Sequence, residues 1–302
     1  MAFDIYAEVT ERIIEQMEGG VIPWEKPWIM AGRASSNHPE AIADPRVCAV
    51  SRITGKAYSL LNQMLLGRPG EYITFKQCLD LGGKVKKGEK SSMVVFWKMH
   101  EVTETDPNTN TTIKKNIPML RYYNVFHIDQ CENIKPRKPR EAKPEPTTPE
   151  PKAAFTPDEA ADNVISEYIR KSGVILDHMR GDRAYYQPGI DRVVLPMIDQ
   201  FKHRAEYYST AFHELTHSTG HKSRLDRLAN NAFFGNEEYS KEELVAEIGA
   251  AALVNHCGLE TASSFRNSTA YIQSWLKVLK EDKRFIVSAS SRAEKAVELI
   301  LA

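Results

Sequence analysis

Ala211-Phe212-His213-Glu214-Leu215-Thr216-His217-Ser218-Thr219-Gly220 is the stretch whose reading decides the rest of this chain. Residues four apart on an α-helix lie on one face. His213 and His217 can therefore offer two imidazole nitrogens to a single cation. Glu214 projects beside them, where a carboxylate can take a proton from a metal-bound water. Zinc-dependent hydrolases use this spacing. The pattern fixes few positions and an ordinary helix can match it by chance, so the argument needs a third ligand.

A second helix is expected over Ser240 to Leu253, where Leu244, Ile248 and Ala251 recur at helical spacing. Glu243 and Glu247 share one of its faces. A catalytic zinc site takes three protein ligands and leaves a position for water. One of these carboxylates completes a His-His-Glu set, and the other can orient a ligating histidine. Each also has a purely structural duty open to it. Ser240 and Glu243 are spaced as a capping box, and Glu247 can simply be solvated. His221 is another third-ligand candidate. On a continuous helix it would stand about 12 Å from His213, too far for one ion, but Gly220 can end the helix first. The longer three-histidine pattern would need its last histidine where Ser223 stands, which argues against that site.

His213 to His217, followed by Glu243-Leu244-Val245-Ala246-Glu247, resembles the two-helix site of the gluzincins, the thermolysin-like metallopeptidases. The resemblance implies Glu243 as the metal ligand and Glu247 as the acid that orients a histidine. That family usually has Asp where Glu247 stands. The expected cofactor is Zn2+, or another divalent metal such as Mn2+, with Glu214 as catalytic base.

A chain of 302 residues with 42% apolar residues can build two domains with sizeable cores. Lys+Arg and Asp+Glu both number 40, so bulk charge does not point to nucleic acid. No apolar run is long enough to span a bilayer. Met1-Ala2-Phe3-Asp4-Ile5-Tyr6 lacks the basic start of a secretory signal. The four cysteines, Cys48, Cys78, Cys131 and Cys257, form no C-x-x-C pair. They are expected to be reduced thiols in a cytoplasmic protein.

The spacing predicts an amphipathic helix from Asp4 to Met17, ended by Gly19-Gly20. Trp24 and Trp28 follow, framed by prolines, and are candidate stacking platforms for unpaired bases or else core residues. Short helices are expected over Ser59 to Leu66 and after Thr74. Lys84, Lys86, Lys87 and Lys90 crowd a glycine-flanked turn and can straddle phosphates or merely solubilise it. Met93 to Lys98 reads as a buried strand, Glu101 to Lys115 as a polar hairpin insertion, and Leu120 to Ile128 as a second long strand. Residues 1–134 hold 16 basic and 16 acidic residues, so any DNA surface there must be a local patch.

Residues 135–154 carry a proline every few positions and almost nothing apolar, which predicts an extended linker. Past it, residues 155–302 begin with a helix near Thr156 to Lys171. Short strands follow, with Asp191 to Pro196 expected at a sheet edge. The metal helix is expected over 205–219. The predicted fold class is α+β, with 1–134 and 155–302 as two domains.

The order of motifs is more specific. Ile22-Pro23-Trp24-x-Lys26-Pro27-Trp28, Thr54-Gly55-Lys56-x-Tyr58-Ser59-Leu60-Leu61-Asn62, Thr74-Phe75-Lys76-Gln77, Gly82-Gly83-x-Val85-x-Lys87-Gly88-Glu89-Lys90 and Val94-Val95-Phe96-Trp97-Lys98 resemble the N-terminal domain of the ArdC family. The histidine stretch and the Glu243 helix match that family's second half. The resemblance implies an antirestriction protein of a mobile genetic element, with a single-stranded-DNA-binding domain joined to a zincin-like metallopeptidase domain. Single-stranded DNA is then the expected partner, with Trp24, Trp28 and Tyr58 stacking on bases. Lys76, Lys84, Lys86, Lys87 and Lys90 are the phosphate candidates. Many members have a glycine between the positions of Tyr58 and Asn62, where Ser59 and Leu60 stand here. Two functional readings follow. One is a metal-dependent hydrolase brought to its site by DNA. The other is a non-enzymatic coat for incoming single strands, its metal site structural.

Overall fold

The computed structural model of the protein describes residues 3–25, 48–105, 112–137, 157–228, 237–259 and 269–302. The chain opens on α1 (Ile5–Glu18), started by the Asp4 carboxylate, which accepts the N–H groups of Tyr6 and Ala7. Its buried stripe, Val9, Ile13 and Met17, is the one the periodicity predicts.

The first half continues with β1 (Ala49–Ser51), α2 (Leu60–Leu66), β2 (Gly70–Ile73), α3 (Phe75–Asp80), β3 (Lys84–Val85), β4 (Ser92–Thr105), β5 (Thr112–His127) and β6 (Cys131–Glu132). Four of these strands form one sheet in the order β1-β2-β5-β4, while β3 pairs with β6. Two buried amides on α2 hold that sheet. Asn62 exchanges 2.8 Å bonds with the backbone N–H and C=O of Val95. Gln63 does the same for Ala49, at 2.8 and 2.9 Å. Each side chain bonds backbone groups of a strand, and the Ala49 carbonyl also accepts the Tyr58 N–H at 3.1 Å. Thr74 caps α3 in a capping box with Gln77.

The second half holds α4 (Glu159–Ser172), β7 (Ile175–Met179), β8 (Tyr185–Gln187), β9 (Arg192–Pro196), α5 (Arg204–Ser218), α6 (Glu237–His256), α7 (Thr269–Glu281) and α8 (Phe285–Leu301). Its helices pack on a small sheet ordered β7-β9-β8. The molecule is α+β, as expected.

Two strand expectations need correction. β9 is the central strand of its sheet, not an edge. Val193, Val194 and Leu195 are buried in succession, the pattern of a strand covered on both faces. Pro196 sits at the strand's end, where a missing N–H costs little. The 93–98 strand is buried only through Val95, and the ladder runs on along both strands to the Thr105↔Thr112 pair. Phe96, Trp97 and Lys98 are exposed.

The two halves share one apolar core. Val9, Ile13, Met17, Trp24, Leu60, Leu61 and Met64 belong to the same buried cluster as Trp275, Val278, Leu279 and Phe285. Thr10 donates to the Lys283 carbonyl at 2.7 Å, and Lys280 pairs with Glu18 at 2.7 Å. Most of the expected linker lies outside the described residues, but the segments it joins are not independent bodies.

Candidate metal centre

α5 and α6 cross closely because Gly249 faces Thr216. A Cβ at that glycine would stand 2.7 Å from the Thr216 methyl. The crossing buries Phe212 and Leu215 beside Leu244 and Ile248. It also sets His213 and His217 against Glu243. Their ligand atoms all lie within 4.8 Å of one another. The two Nε2 atoms are 3.0 Å apart. Glu243 reaches His217 Nε2 at 3.3 Å and His213 Nε2 at 3.6 Å, one oxygen to each.

Two more carboxylates stand behind the histidines. Glu247 comes within 3.2 Å of His213 Nδ1, although that contact lacks the alignment of a hydrogen bond. Glu242 reaches His217 Nδ1 at 3.2 Å. Glu242 is gripped in turn by Arg227, at 2.8 Å from one guanidinium nitrogen, and Arg227 also donates to the Thr216 carbonyl and the Thr219 hydroxyl. Gly220 permits this return of the chain, because a Cβ there would meet Leu228 at 2.8 Å and Arg227 at 3.1 Å.

The charges follow from these contacts. Burial disfavours the His217 imidazolium, yet Glu242 and Glu243 outweigh it and raise that group to about 10. Burial likewise pushes the Glu243 carboxyl up, but hydrogen bonds from His213 and His217 prevail and hold it well below the usual carboxylate range. Glu242 is lowered too, with His217 and Arg227 overcoming its burial. A site that binds a proton this firmly between two histidines and a carboxylate has the donor set that suits a divalent cation.

Among the sequence candidates, His213, His217 and Glu243 are brought together. Glu247 stands at the position read for an orienting acid. Glu214 is buried on α5 next to His213, outside the three-residue group. His221 is not part of that group. α5 ends at Ser218, and the His221 ring turns to the Ser223 hydroxyl at 2.8 Å. The capping role for Glu243 fails because α6 starts at Glu237, a turn before Ser240. Glu242 was missed by sequence reading. Its only signal is adjacency to Glu243, and its partner Arg227 arrives from a loop.

The DNA candidates fare differently. Trp24 is corrected. It is 2% exposed and packs edge-on against Trp275 with ring centroids 5.6 Å apart, so no face is left for a base. The cause is the packing of α1 on α7 and α8, which carries the chain after Gly20 into the shared core. Trp28 lies outside the described residues. Tyr58 is half-buried, its ring edge-on to Tyr72 at 6.2 Å. Lys76, Lys84, Lys86, Lys87 and Lys90 are exposed. Of these, Lys86 donates to the Asp129 carbonyl at 2.7 Å, which ties the turn to the short 3-10 turn between β5 and β6.

The chain is similar in sequence and fold to known proteins. A family described as the N-terminal domain of anti-restriction factor ArdC matches residues 3–126, and one described as a zincin-like metallopeptidase matches residues 163–292. The Mn(II)-bound crystal structure of an antirestriction ArdC protein from the R388 plasmid superimposes with a TM-score of 0.71 at 34% identity, covering 99% of this chain and 97% of that one. Its metal-free structure gives 0.70 at 35% identity, with the same coverage. A DNA primase TraC of Escherichia coli is 33% identical over 98% of this chain but only 27% of the primase, and a second is 32% identical over 97% of this chain and 20% of its own length. The chain thus spans only about a fifth to just over a quarter of the length of these curated relatives. The uncharacterized protein y4eC of Sinorhizobium fredii is 29% identical across 98% of this chain and 91% of its own. No described helix is long and apolar enough to cross a membrane. With an ArdC-type first half and a zincin-like second half carrying the His213, His217 and Glu243 cluster, this chain belongs to the ArdC antirestriction family.

Proposed function

We propose that the protein is a zinc-type, metal-dependent peptide hydrolase held near single-stranded DNA by its first half. The observation that carries the hydrolase reading is the convergence of two imidazoles and one carboxylate within 4.8 Å, with a second buried carboxylate, Glu214, beside the first histidine. His213, His217 and Glu243 would hold the cation. Bound there, a divalent metal supplies Lewis acidity toward a carbonyl and lowers the pKa of water. Glu214 takes the proton from the attacking water and returns it to the leaving amine. Glu247 and Glu242 keep the two rings turned toward Glu243. A purely structural site has no use for the Glu214 base.

The single-stranded-DNA reading is supported by the ArdC-type first half and by exposed lysines at 76, 84, 87 and 90. Zinc or Mn(II) content of the purified chain, followed by a peptide-cleavage screen with and without single-stranded DNA, tests the proposal. Glu214→Gln should keep metal and fold and lose all cleavage, because an amide cannot accept the proton. Equal behaviour of wild type and this variant in every assay would leave the non-enzymatic coat as the reading.

A further inference from the structure

β4 and β5 pair in register from Ser92↔Val125 to Thr105↔Thr112. Directly opposed residues share a face and successive residues alternate, so the ladder sorts its side chains into two sets. One face sends Met93, Val95 and Leu120 into the core. Farther out it carries Trp97 and the Glu101–Lys114 ion pair at 2.8 Å. The opposite face starts on Val94 and Val125, buried with Tyr72 and packed by Tyr58. It then emerges into solvent as Phe96, Tyr123, Arg121 and Lys98.

This second face has an unusual composition. The Phe96 and Tyr123 rings lie 5.6 Å apart at 61°, and they remain 42% and 37% exposed. Tyr58 packs against the inner end of the strip, its ring edge-on to Tyr72 at 6.2 Å. Between Ser92 and Val102, and between Lys115 and Val125, the face carries Lys98, Lys115 and Arg121 and no carboxylate. The first half of the chain is electrically neutral, yet register gathers these three cations onto one side of the hairpin, with Glu104 at a register position on the same side toward the tip, and sets Glu101 with Lys114 on the other.

Exposed rings interleaved with cations suit a ligand that offers flat apolar surfaces on a polyanionic thread. A second copy of this chain fits less well. A two-fold contact sets a patch against itself and would press the three cations onto three more. We propose that the Phe96, Tyr123, Lys98 and Arg121 face of the β4–β5 hairpin is the platform on which single-stranded DNA lies, bases on the rings and phosphates on the cations. This assignment rests on the single-stranded-DNA reading above and names its site.

The test is fluorescence anisotropy of a labelled twenty-nucleotide oligothymidine with the full-length chain. Three variants are compared with wild type: F96A/Y123A, K98E/R121E, and Trp97→Ala on the opposite face of the same strand. Circular dichroism and bound-metal content establish that each variant is folded. Each removed ring should weaken binding about tenfold, so F96A/Y123A should lose about a hundredfold. K98E/R121E should also lose affinity and show a shallower salt dependence. Trp97→Ala should bind as wild type does. Wild-type binding with undiminished affinity in the folded F96A/Y123A and K98E/R121E variants would overturn the platform while leaving the DNA reading intact. So would loss of binding in Trp97→Ala alone. Absence of wild-type binding would overturn the DNA reading itself, and the platform with it. A wild-type dimer that F96A/Y123A dissociates without changing DNA affinity would make the face a contact between copies and overturn the assignment.

Discussion

The α5–α6 crossing and the β4–β5 hairpin face are chemically distinctive among the described residues, and they are built in opposite ways. At the crossing, the polar groups are wholly or largely buried, and each histidine stands against carboxylates. His213 is backed by Glu247, His217 by Glu242, and Glu242 by Arg227. On the hairpin face, Phe96 and Arg121 stand on a backbone ladder with solvent on one side. A metal site needs donors fixed to fractions of an ångström, so its supports must be rigid. A surface that accepts any base needs only exposed rings at strand spacing. Rigidity is spent where geometry selects the ligand, and omitted where it does not.

Four changes sharpen or break that contrast. The largest effect belongs to the donors. His213→Ala or His217→Ala removes one of three protein ligands and should lower metal affinity by more than about a hundredfold, beyond the range seen for supporting residues. Metal analysis after dialysis measures it. Full occupancy in both variants would dissolve the site.

Trp24→Ala comes next. A ring this deeply buried should cost about 3–5 kcal/mol when truncated, read as a fall in the urea midpoint of the whole protein. Because Trp24 packs on Trp275, both halves should unfold together. A wild-type midpoint with weakened DNA binding would instead restore the stacking role that the burial removes. For the same reason a fragment of residues 1–134 would expose the α1 stripe and should aggregate.

The supports rank third. Glu242→Gln and Glu247→Gln should each lower metal affinity about 10–100-fold without unfolding the chain. Calorimetric titration of the metal-free protein checks this. Equal affinity in Glu242→Gln would mean that Arg227 and Glu242 serve only the loop after α5.

The smallest effect is on the open face. Phe96→Ala should shift stability by no more than about 0.5 kcal/mol, since its ring is exposed. A thermal melt decides the matter. A loss comparable to that of Trp24→Ala would show that the face is structural and erase the contrast.

Much of the metal centre was legible because it obeys local rules. The i, i+4 histidines share a helix face by geometry alone, and the acid pair on a second helix announces a third ligand. The helix start at Thr74, the α1 stripe and the existence of strands near 93–98 and 120–128 were legible for the same reason, since each depends on residues a few positions apart, whereas the pairing of those strands and their reach to Thr105 and Thr112 were not. The choice between Glu243 and Glu247 came from family resemblance and not from spacing.

What the tertiary structure alone decided lies between distant segments. Trp24 looks like an exposed platform until α1 docks on α7 and α8. β9 looks like an edge until β7 and β8 flank it. Glu242 looks like surface charge until the chain turns at Gly220 and delivers Arg227. The cations of the first half look scattered until register places Lys98, Lys115 and Arg121 on one face. Periodicity along a chain determines which side of an element is apolar. It carries no information about which other element covers that side, and burial, pairing and charge clustering are properties of the cover.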